Sequence, residues 1–339
     1  MTAKSLRTTL LLRLRQRRRE RWLADGALLS IAAIWGSTFF MIKDATQTFP
    51  VLAFLTLRFV IAALVLLPFV LREIQRRGIL PTQREWAWGI GGGILFAAGY
   101  IFQTFALRTV DAGRAGFVTG LYVIFVPFLG LLVLRQPIER RVLVGSALAL
   151  IGMVLLGYAP GGTLLGDVLA LLCALAYAAH ILAIGEMPRS ADWRFLALAQ
   201  ALTVAVLCGA LLPIMAAVRG CHTDICLAFT PFADPLPTGL PLNVLLVAAF
   251  TGVLATAFGL MVQVWAQRIL PPSDAALIFA LEAPFAVLFG VIFLNEVVTL
   301  LALAGCALIF SGTLVVTVSG QQTLGTDQSL EVLPSEAAD

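Results

Sequence analysis

Ten stretches of mostly apolar residues recur along the chain, and they restrict its fold more than any other feature. A helix needs about 20 apolar residues to cross the hydrocarbon core of a bilayer. Only 12% of the 339 residues are charged, against roughly a quarter in soluble domains. We therefore predict an all-α integral membrane protein with ten transmembrane helices. The predicted spans are 23–42, 51–71, 86–107, 113–134, 142–157, 165–185, 195–218, 243–268, 272–294 and 299–318.

Charged residues predict how the spans are oriented. Residues 1–22 form a basic arm that meets the first apolar span directly, which favours a cytoplasmic segment held by anionic lipid over one that binds nucleic acid. With this arm inside, ten arginines fall in cytoplasmic connections and four Lys or Arg residues fall outside. We predict a multi-pass protein of the cell (inner) membrane with both termini cytoplasmic. The polar, acidic tail 319–339 is predicted to be disordered.

The chain also repeats itself. Shifting it by 160 residues without a gap aligns 92–157 with 252–317. The shift pairs Gly99 with Gly259, Gln103 with Gln263, Arg108 with Arg268, Gly145 with Gly305, and Gly152 with Gly312. A weaker match between 23–37 and 165–179 sets Trp35 opposite Tyr177. We predict two five-helix repeats, 23–158 and 159–318. Because each repeat holds an odd number of spans, the two are predicted to face opposite ways, as in many secondary transporters.

Several short motifs resemble a known family. They are Trp35-Gly36-Ser37-Thr38-Phe39, Leu57-Arg58-Phe59, Gly120-Leu121-Tyr122-Val123 through Pro127, Leu281-Glu282-Ala283-Pro284-Phe285, and Asn295-Glu296. In this order and spacing the sequence resembles the drug/metabolite transporter superfamily, specifically its EamA-like family. The resemblance implies ten helices in two inverted repeats around a central cavity, and movement of small metabolites, often outward.

Two charged residues, Glu282 and Arg58, lie well inside predicted spans and away from their ends, where insertion of a charge costs about 2.5–3.5 kcal/mol. Glu282 lies about ten residues into the ninth span. It could bind a cationic solute or carry a proton, or it could be a buried carboxyl that a neighbouring hydroxyl or amide satisfies. Arg58 is expected to be a structural charge that bonds backbone carbonyls or extends outward. The alternatives for Arg58 are an anion site and a partner for Glu282.

Other polar and aromatic groups lie at intermediate depth in the spans. Each could face the solute pathway or serve only in helix packing. Together with Glu282, the candidate cavity residues are Trp35, Tyr100, Gln103, Tyr122, Tyr177, His180 and Gln263. Cys221 and Cys226 share the predicted outer loop, where a disulfide is permitted and two free thiols are equally compatible with the sequence.

The sequence favours a secondary carrier of small organic solutes, amino-acid-like or drug-like, that exports them by alternating access. It contains no Walker motif, so the solute's own gradient or protons would drive transport. We expect no metal and no cofactor, and either a monomer or a homodimer. The alternatives are a membrane scaffold or receptor that does not transport and, third, an intramembrane enzyme. The enzyme would need a clustered nucleophile, base or metal set, and His, Asp and Glu are sparse.

Overall fold

The computed structural model describes most of the chain. It describes residues 3–157, 163–219, 221, 226, 229–294 and 298–331, but not the side chains of 3–14, 112, 157, 231, 294 and 320–331. Asn295 and Glu296, which contribute to the family resemblance, therefore lie outside the described residues.

The described residues form helices and connecting segments without any β-strand. The helices are α1 (Ala3–Thr48), α2 (Val51–Arg77), α3 (Gln83–Ala106), α4 (Ala112–Gly120), α5 (Tyr122–Leu134), α6 (Arg140–Gly157), α7 (Leu164–Gly185), α8 (Trp193–Val218), α9 (Leu242–Phe250), α10 (Gly259–Ala266), α11 (Pro272–Phe279), α12 (Glu282–Leu294) and α13 (Leu300–Glu331). Nine spans of the described chain are long and apolar enough to cross a membrane, counting α4–α5, α9–α10 and α11–α12 as one span each. The 18-residue α6 is the tenth apolar helix.

Local sequence signals account for several helix ends. Gly78, at a φ of 66°, ends α2 in the left-handed conformation that glycine adopts without strain. Thr82 and Glu85 form a capping box at the start of α3. The side chains of Thr163 and Asp192 cap α7 and α8, and each accepts one hydrogen bond from a backbone N–H of the first turn.

Both ends of the helical bundle differ from the sequence-based prediction. α1 begins at Ala3, so the basic arm and the first span form one 46-residue helix about 69 Å long, more than twice the hydrocarbon core of a bilayer. The arm is rich in Leu and Arg, which are strong helix formers. At the other end, α13 continues to Glu331. The prediction of a disordered tail was therefore wrong for 319–331, while 332–339 lie outside the described residues.

Two spans that we predicted as single helices are interrupted, and each contains a proline. Pro284 leaves the carbonyl of Ala280 to the backbone N–H of Ala283, one residue nearer than in a regular helix, at 3.3 Å. Pro127 lies inside α5 and has no N–H to give the carbonyl of Val123, and Ser146 Oγ donates to that carbonyl instead, at 3.2 Å. The second halves of these spans, α5 and α12, begin inside the bundle.

The eighth span contains a different irregularity. The π-helical segment Thr251–Phe258 joins α9 to α10. π-helical turns are rare and often occur at functional sites, because the extra residue in each turn shifts which backbone groups face a neighbouring helix. The predicted single helix over 243–268 is therefore interrupted at its centre.

The segment between α8 and α9 folds onto the bundle through Asp234. This buried carboxylate accepts hydrogen bonds from the backbone N–H of Val51 and from Arg108 Nη1, both at 2.6 Å. Phe232 packs edge-on against Phe105, with ring centroids 5.1 Å apart. Cys221 and Cys226, whose pairing the sequence left open, form a disulfide in this segment with their Cα atoms 5.8 Å apart.

α6 and α13 pack closely along each other in opposite directions. Gly145 lies against Gly312, and Gly152 lies against Gly305. A Cβ atom added to Gly152 would lie 2.5 Å from the carbonyl oxygen of Gly305. Because that oxygen belongs to a helical backbone, it cannot move aside without disturbing α13. Glycine is therefore required at this crossing.

We predict that Gly152→Val destabilises the protein by about 1–3 kcal/mol, the usual cost of overpacking. Thermal unfolding of the purified protein in detergent would measure the loss. Gly91→Val is the matched control, because a Cβ atom at Gly91 meets nothing within 4 Å. Equal melting temperatures for the two variants would contradict the close crossing.

Candidate functional site

A cavity at the centre of the bundle lies between α1, α2, α3, α5, α7, α10, α11 and α12, and we call it the central cavity. Its volume is about 40 Å³, on a measure in which one water needs about 10–15 Å³. Its lining residues are Trp35, Thr38, Phe39, Ile42, Arg58, Phe96, Tyr100, Gln103, Tyr122, Tyr177, His180, Ile181, Gln263, Phe279 and Glu282. The structure thus brings all eight candidate cavity residues together, and Arg58 with them.

Glu282 is the one acid among the described lining residues, and its side chain is almost fully buried. Its Oε1 accepts a hydrogen bond of 3.0 Å from the hydroxyl of Tyr122. The carboxyl lies in the first turn of α12, where the positive end of the helix dipole favours a negative charge. The neighbouring hydroxyl that the sequence analysis considered is therefore present. No described basic residue forms an ion pair with this carboxyl.

Arg58 is 1% exposed and is the largest fully buried side chain of the described residues. Its Nε donates to Thr256 Oγ1 at 2.7 Å, and its Nη2 donates to the hydroxyl of Tyr100 at 3.0 Å. The guanidinium carbon also lies 4.5 Å from the centre of the Tyr100 ring, a cation–π distance. We had expected Arg58 to bond backbone carbonyls or to extend outward. Among the described residues it instead bonds two side-chain hydroxyls, and it forms no ion pair with Glu282.

Trp35 links the first span to the π-helical segment. Its indole Nε1 donates to the carbonyl oxygen of Ala255 at 2.8 Å, and its ring lies 4.9 Å from that of Phe279. Thr256, the partner of Arg58, is the next residue along the same segment. The π-helical segment therefore presents a backbone carbonyl to Trp35 and a hydroxyl to Arg58, and both of these residues line the central cavity.

His180 is held by a neutral network. Its Nε2 lies 2.6 Å from Gln200 Oε1, and the amide nitrogen of Gln200 donates to the carbonyl of Leu196 at 3.1 Å. Because the Gln200 oxygen is then the atom that faces the ring, Nε2 of His180 carries a proton. Phe96 stacks on the imidazole with ring centroids 4.4 Å apart. These contacts fit a satisfied packing residue that also lines the central cavity.

The two repeated glutamines have unequal surroundings. Gln103 accepts a hydrogen bond from the Tyr177 hydroxyl at 3.3 Å. Gln263 donates to Gln267 at 3.1 Å, and Gln267 donates in turn to the carbonyl of Ile181 at 2.8 Å. The oxygen Oε1 of Gln263 is buried and has no hydrogen-bond partner among the described residues. The same is true of Arg58 Nη1.

Two residues that line the central cavity, Arg58 and Gln263, each have a buried polar atom with no partner among the described residues, which is informative because buried polar groups are almost always hydrogen-bonded. Arg58 Nη1 can only donate, and Gln263 Oε1 can only accept. Around them the wall is aromatic, with Trp35, Tyr100 and Tyr177 among its rings. The arrangement can bind a small molecule that has an acceptor and a donor beside an apolar body.

The sequence analysis missed Phe96 and Thr256. Phe96 could have been found by helical spacing, because it precedes Gln103 by seven residues, which are two helical turns, and both lie on one face of α3. Thr256 also precedes Gln263 by seven residues, but it lies in the π-helical segment, which no sequence signal predicted.

We predict that Tyr100→Phe destabilises the protein by about 1–3 kcal/mol, because it leaves a second buried guanidinium N–H unpaired. Thermal unfolding in detergent would measure the effect. Tyr177→Phe is the matched control, since it removes only a 3.3 Å bond between neutral groups. A smaller loss for Tyr100→Phe than for Tyr177→Phe would contradict this assignment.

Comparison with known proteins agrees with this architecture. The model of the EamA-like transporter family matches residues 22–158 and 164–318. A protein of Archaeoglobus fulgidus, described as an uncharacterized transporter, is 33% identical over 302 residues, which cover 88% of this chain and 86% of the relative. One solved crystal structure shares the fold, with a TM-score of 0.63 and 19% identity over 87% of this chain and 97% of the other. Because the family matches span most of the sequence, the chain belongs to the EamA-like transporter family of membrane proteins.

Proposed function

We propose that this membrane transporter is a secondary carrier that exports small organic solutes, amino-acid-like or drug-like, by alternating access. One observation carries the proposal. The residues that line the central cavity include the buried acid Glu282, the buried base Arg58 and Gln263, and within the described part of the chain Arg58 Nη1 and Gln263 Oε1 have no hydrogen-bond partner. Buried charges inside a membrane bundle are costly and mark solute or ion pathways.

The polar groups of the central cavity suit a solute that carries a negative carboxylate and a positive ammonium group. Arg58 Nη1 can donate to a carboxylate, and charge-assisted bonds of this kind are the stronger ones. Glu282 and the oxygen of Gln263 can both accept from an ammonium group. An α-amino acid carries an ammonium group and a carboxylate on the same carbon atom. The aromatic wall offers contact to the remaining apolar part, which drug-like amines also possess.

We propose that the carrier consists of two five-helix repeats, 23–158 and 159–318, that face opposite ways. The contacts between α6 and α13 support this proposal. Gly145 touches Gly312 and Gly152 touches Gly305, and the 160-residue shift converts each of these contacts into the other. Reciprocal contacts of this kind arise when two copies are related by a two-fold axis. The antiparallel course of the two helices fits copies that are inverted in the membrane.

A second pair of contacts supports the same arrangement. Arg108 donates to the carbonyls of Thr46 and Phe49 at the end of α1, at 3.0 and 3.2 Å. Arg268, its partner under the shift, donates to the carbonyl of Ala191 beyond the end of α7, at 2.6 Å. α1 and α7 would be the first helices of the two repeats. The duplicated arginines thus have duplicated roles.

Tyr122 and Glu282, which hydrogen-bond to each other, are also 160 residues apart. A residue that touches its own counterpart lies close to the axis that relates the copies. Each of the two begins the second half of a broken span. Solute sites in transporters with inverted repeats commonly lie at such discontinuous helices, and rocking of the repeats about the site exposes it to each side in turn.

The remaining parts of the proposal concern setting and partners. We propose an inner-membrane location with both termini cytoplasmic, which the distribution of arginines supports. Arg15, Arg17, Arg18 and Arg19 are exposed on α1, and we propose that they bind anionic lipid rather than nucleic acid. A solute gradient or protons would supply the energy, and no covalent chemistry is required. A monomer and a homodimer are both compatible with this proposal.

We predict that Glu282→Gln lowers transport about tenfold or more, the effect of losing a charge-assisted contact, and removes its dependence on external pH. Glutamine keeps the shape of the side chain but neither its charge nor its ability to carry a proton. The measurement is counterflow of labelled amino acids and cationic drugs in proteoliposomes. Glu186→Gln is the matched control, because Glu186 is exposed and accepts a hydrogen bond from the neutral side chain of Gln136. An unchanged rate and pH profile for Glu282→Gln would overturn the role of this residue.

The orientation has its own test. Arg140 is exposed at the start of α6, on the side that we propose to be cytoplasmic. A cysteine in its place is expected to resist membrane-impermeant thiol reagents in intact cells and to react after permeabilisation. Asp44→Cys, near the opposite end of the first span, is the control and is expected to react in intact cells. Rapid labelling at position 140 in intact cells would reverse the topology.

A further inference from the structure

A second cavity adjoins the central one, and we call it the apolar side pocket. It lies between α1, α4, α6 and α12 and has a volume of about 110 Å³, larger than the central cavity on the same measure. Four of its twelve lining residues are glycines, and the other eight carry only hydrocarbon or thioether side chains. It therefore offers no hydrogen bond from a side chain and suits only an apolar group.

The two cavities share a wall. Phe39 lines both of them. On α12, Glu282 lines the central cavity and the next residue, Ala283, lines the side pocket. A molecule held by the carboxyl of Glu282 thus lies next to two residues of the side-pocket wall, Phe39 and Ala283.

Gly36 is required where α1 packs on α12, because a Cβ atom there would lie 2.6 Å from the carbonyl oxygen of Glu282. Helix packing does not explain two other glycines of the side pocket, Gly113 and Gly116. A Cβ atom on Gly113 would meet nothing within 4 Å, and one on Gly116 would meet only the Phe39 ring, at 3.9 Å. At the crossing of α6 and α13, by contrast, a Cβ atom on Gly152 would overlap a neighbouring backbone. Side chains would fit at Gly113 and Gly116 and fill the space. Because an unfilled apolar cavity destabilises a protein, keeping it open calls for a group that occupies it.

We propose that the apolar side pocket binds the hydrocarbon tail of the transported solute while its charged head is held in the central cavity. The inference rests on the proposed function and adds a shape to the substrate. The polar groups that would hold a head surround a cavity of about 40 Å³, which has room for only a few waters. A tail must therefore extend elsewhere, and the side pocket is the adjoining apolar space. The preferred solutes are amphipathic, with a compact charged head and an unbranched or aromatic apolar tail.

The experiment uses straight-chain amino acids with one head group and growing tails: alanine, norvaline, norleucine and 2-aminooctanoic acid. Their affinities for the full-length protein in lipid nanodiscs are measured by calorimetry. For the unaltered protein, affinity is expected to rise about fourfold for each added methylene that enters the pocket. In Gly116→Leu, whose side chain would occupy the pocket, this rise is expected to disappear while alanine binds within about twofold of its original affinity.

Gly91→Leu is the matched control, because it makes the same substitution at an exposed glycine of α3 with nothing within 4 Å. It is expected to leave the whole series unchanged. Gly113→Leu fills the pocket from a second position and is expected to act like Gly116→Leu, so that misfolding of one variant does not decide the test.

Three outcomes would overturn the side pocket as a tail site. The first is an affinity that does not rise with tail length, and the second is a rise that persists in both pocket-filling variants. The third is a loss of affinity for alanine, in both variants, as large as the loss for the longer amino acids. The second outcome would fit a pocket that lipid occupies instead. If none of the amino acids binds the unaltered protein, alanine included, the proposed amino-acid-like substrate is what fails.

Discussion

The hydrogen bonding of two buried ionisable side chains, Arg58 and Glu282, within an apolar bundle is the constraint on which the centre of this structure depends. A charged group in a medium without water needs hydrogen-bond partners or a counter-charge, because an unpaired one is very costly. Arg58 of α2 takes its partners from α3 and from the π-helical segment, and Glu282 takes its partner from α5. Each hydrogen bond therefore joins different spans. The same contacts that satisfy the charges hold the walls of the central cavity in place.

The breaks in the spans make this hydrogen bonding possible. Pro127 and Pro284 each lack the backbone N–H that a helix carbonyl would otherwise accept from. The hydroxyl of Ser146 donates to the carbonyl of Val123 instead, and the backbone N–H of Ala283 donates to the carbonyl of Ala280. Two half-helices start in the middle of the bundle, one at Tyr122 and one at Glu282. The positive end of the α12 dipole favours the carboxylate of Glu282. The π-helical segment adds a third irregularity. Irregular backbone at this depth is tolerated where it lines a cavity.

Glycine serves two opposite purposes around this centre. Gly152 lets two helix backbones touch, because any side chain there would meet the carbonyl of Gly305. Gly116 keeps a space open, because a side chain there would be accommodated. Close packing and open space are thus both encoded by the smallest residue. The distinction matters for function: the first kind of site holds the scaffold together, and the second leaves room beside the charged cavity for an apolar tail.

Much of this architecture could be predicted because the bilayer imposes local rules on a sequence. Apolar runs predicted the spans, and polar residues such as Gln103 and His180 were singled out because they cannot face lipid. The helical arm and the helix over 319–331 were missed, since polar sequence carries no span signal. The partners were also beyond reach: Arg58 and Thr256 lie 198 residues apart. By itself, then, the sequence determined which segments lie in the membrane and which residues must point inward, because the free-energy cost of exposing a side chain to lipid depends on that residue alone. Only the tertiary structure decided which polar groups pair and where space remains, because both depend on how distant helices meet.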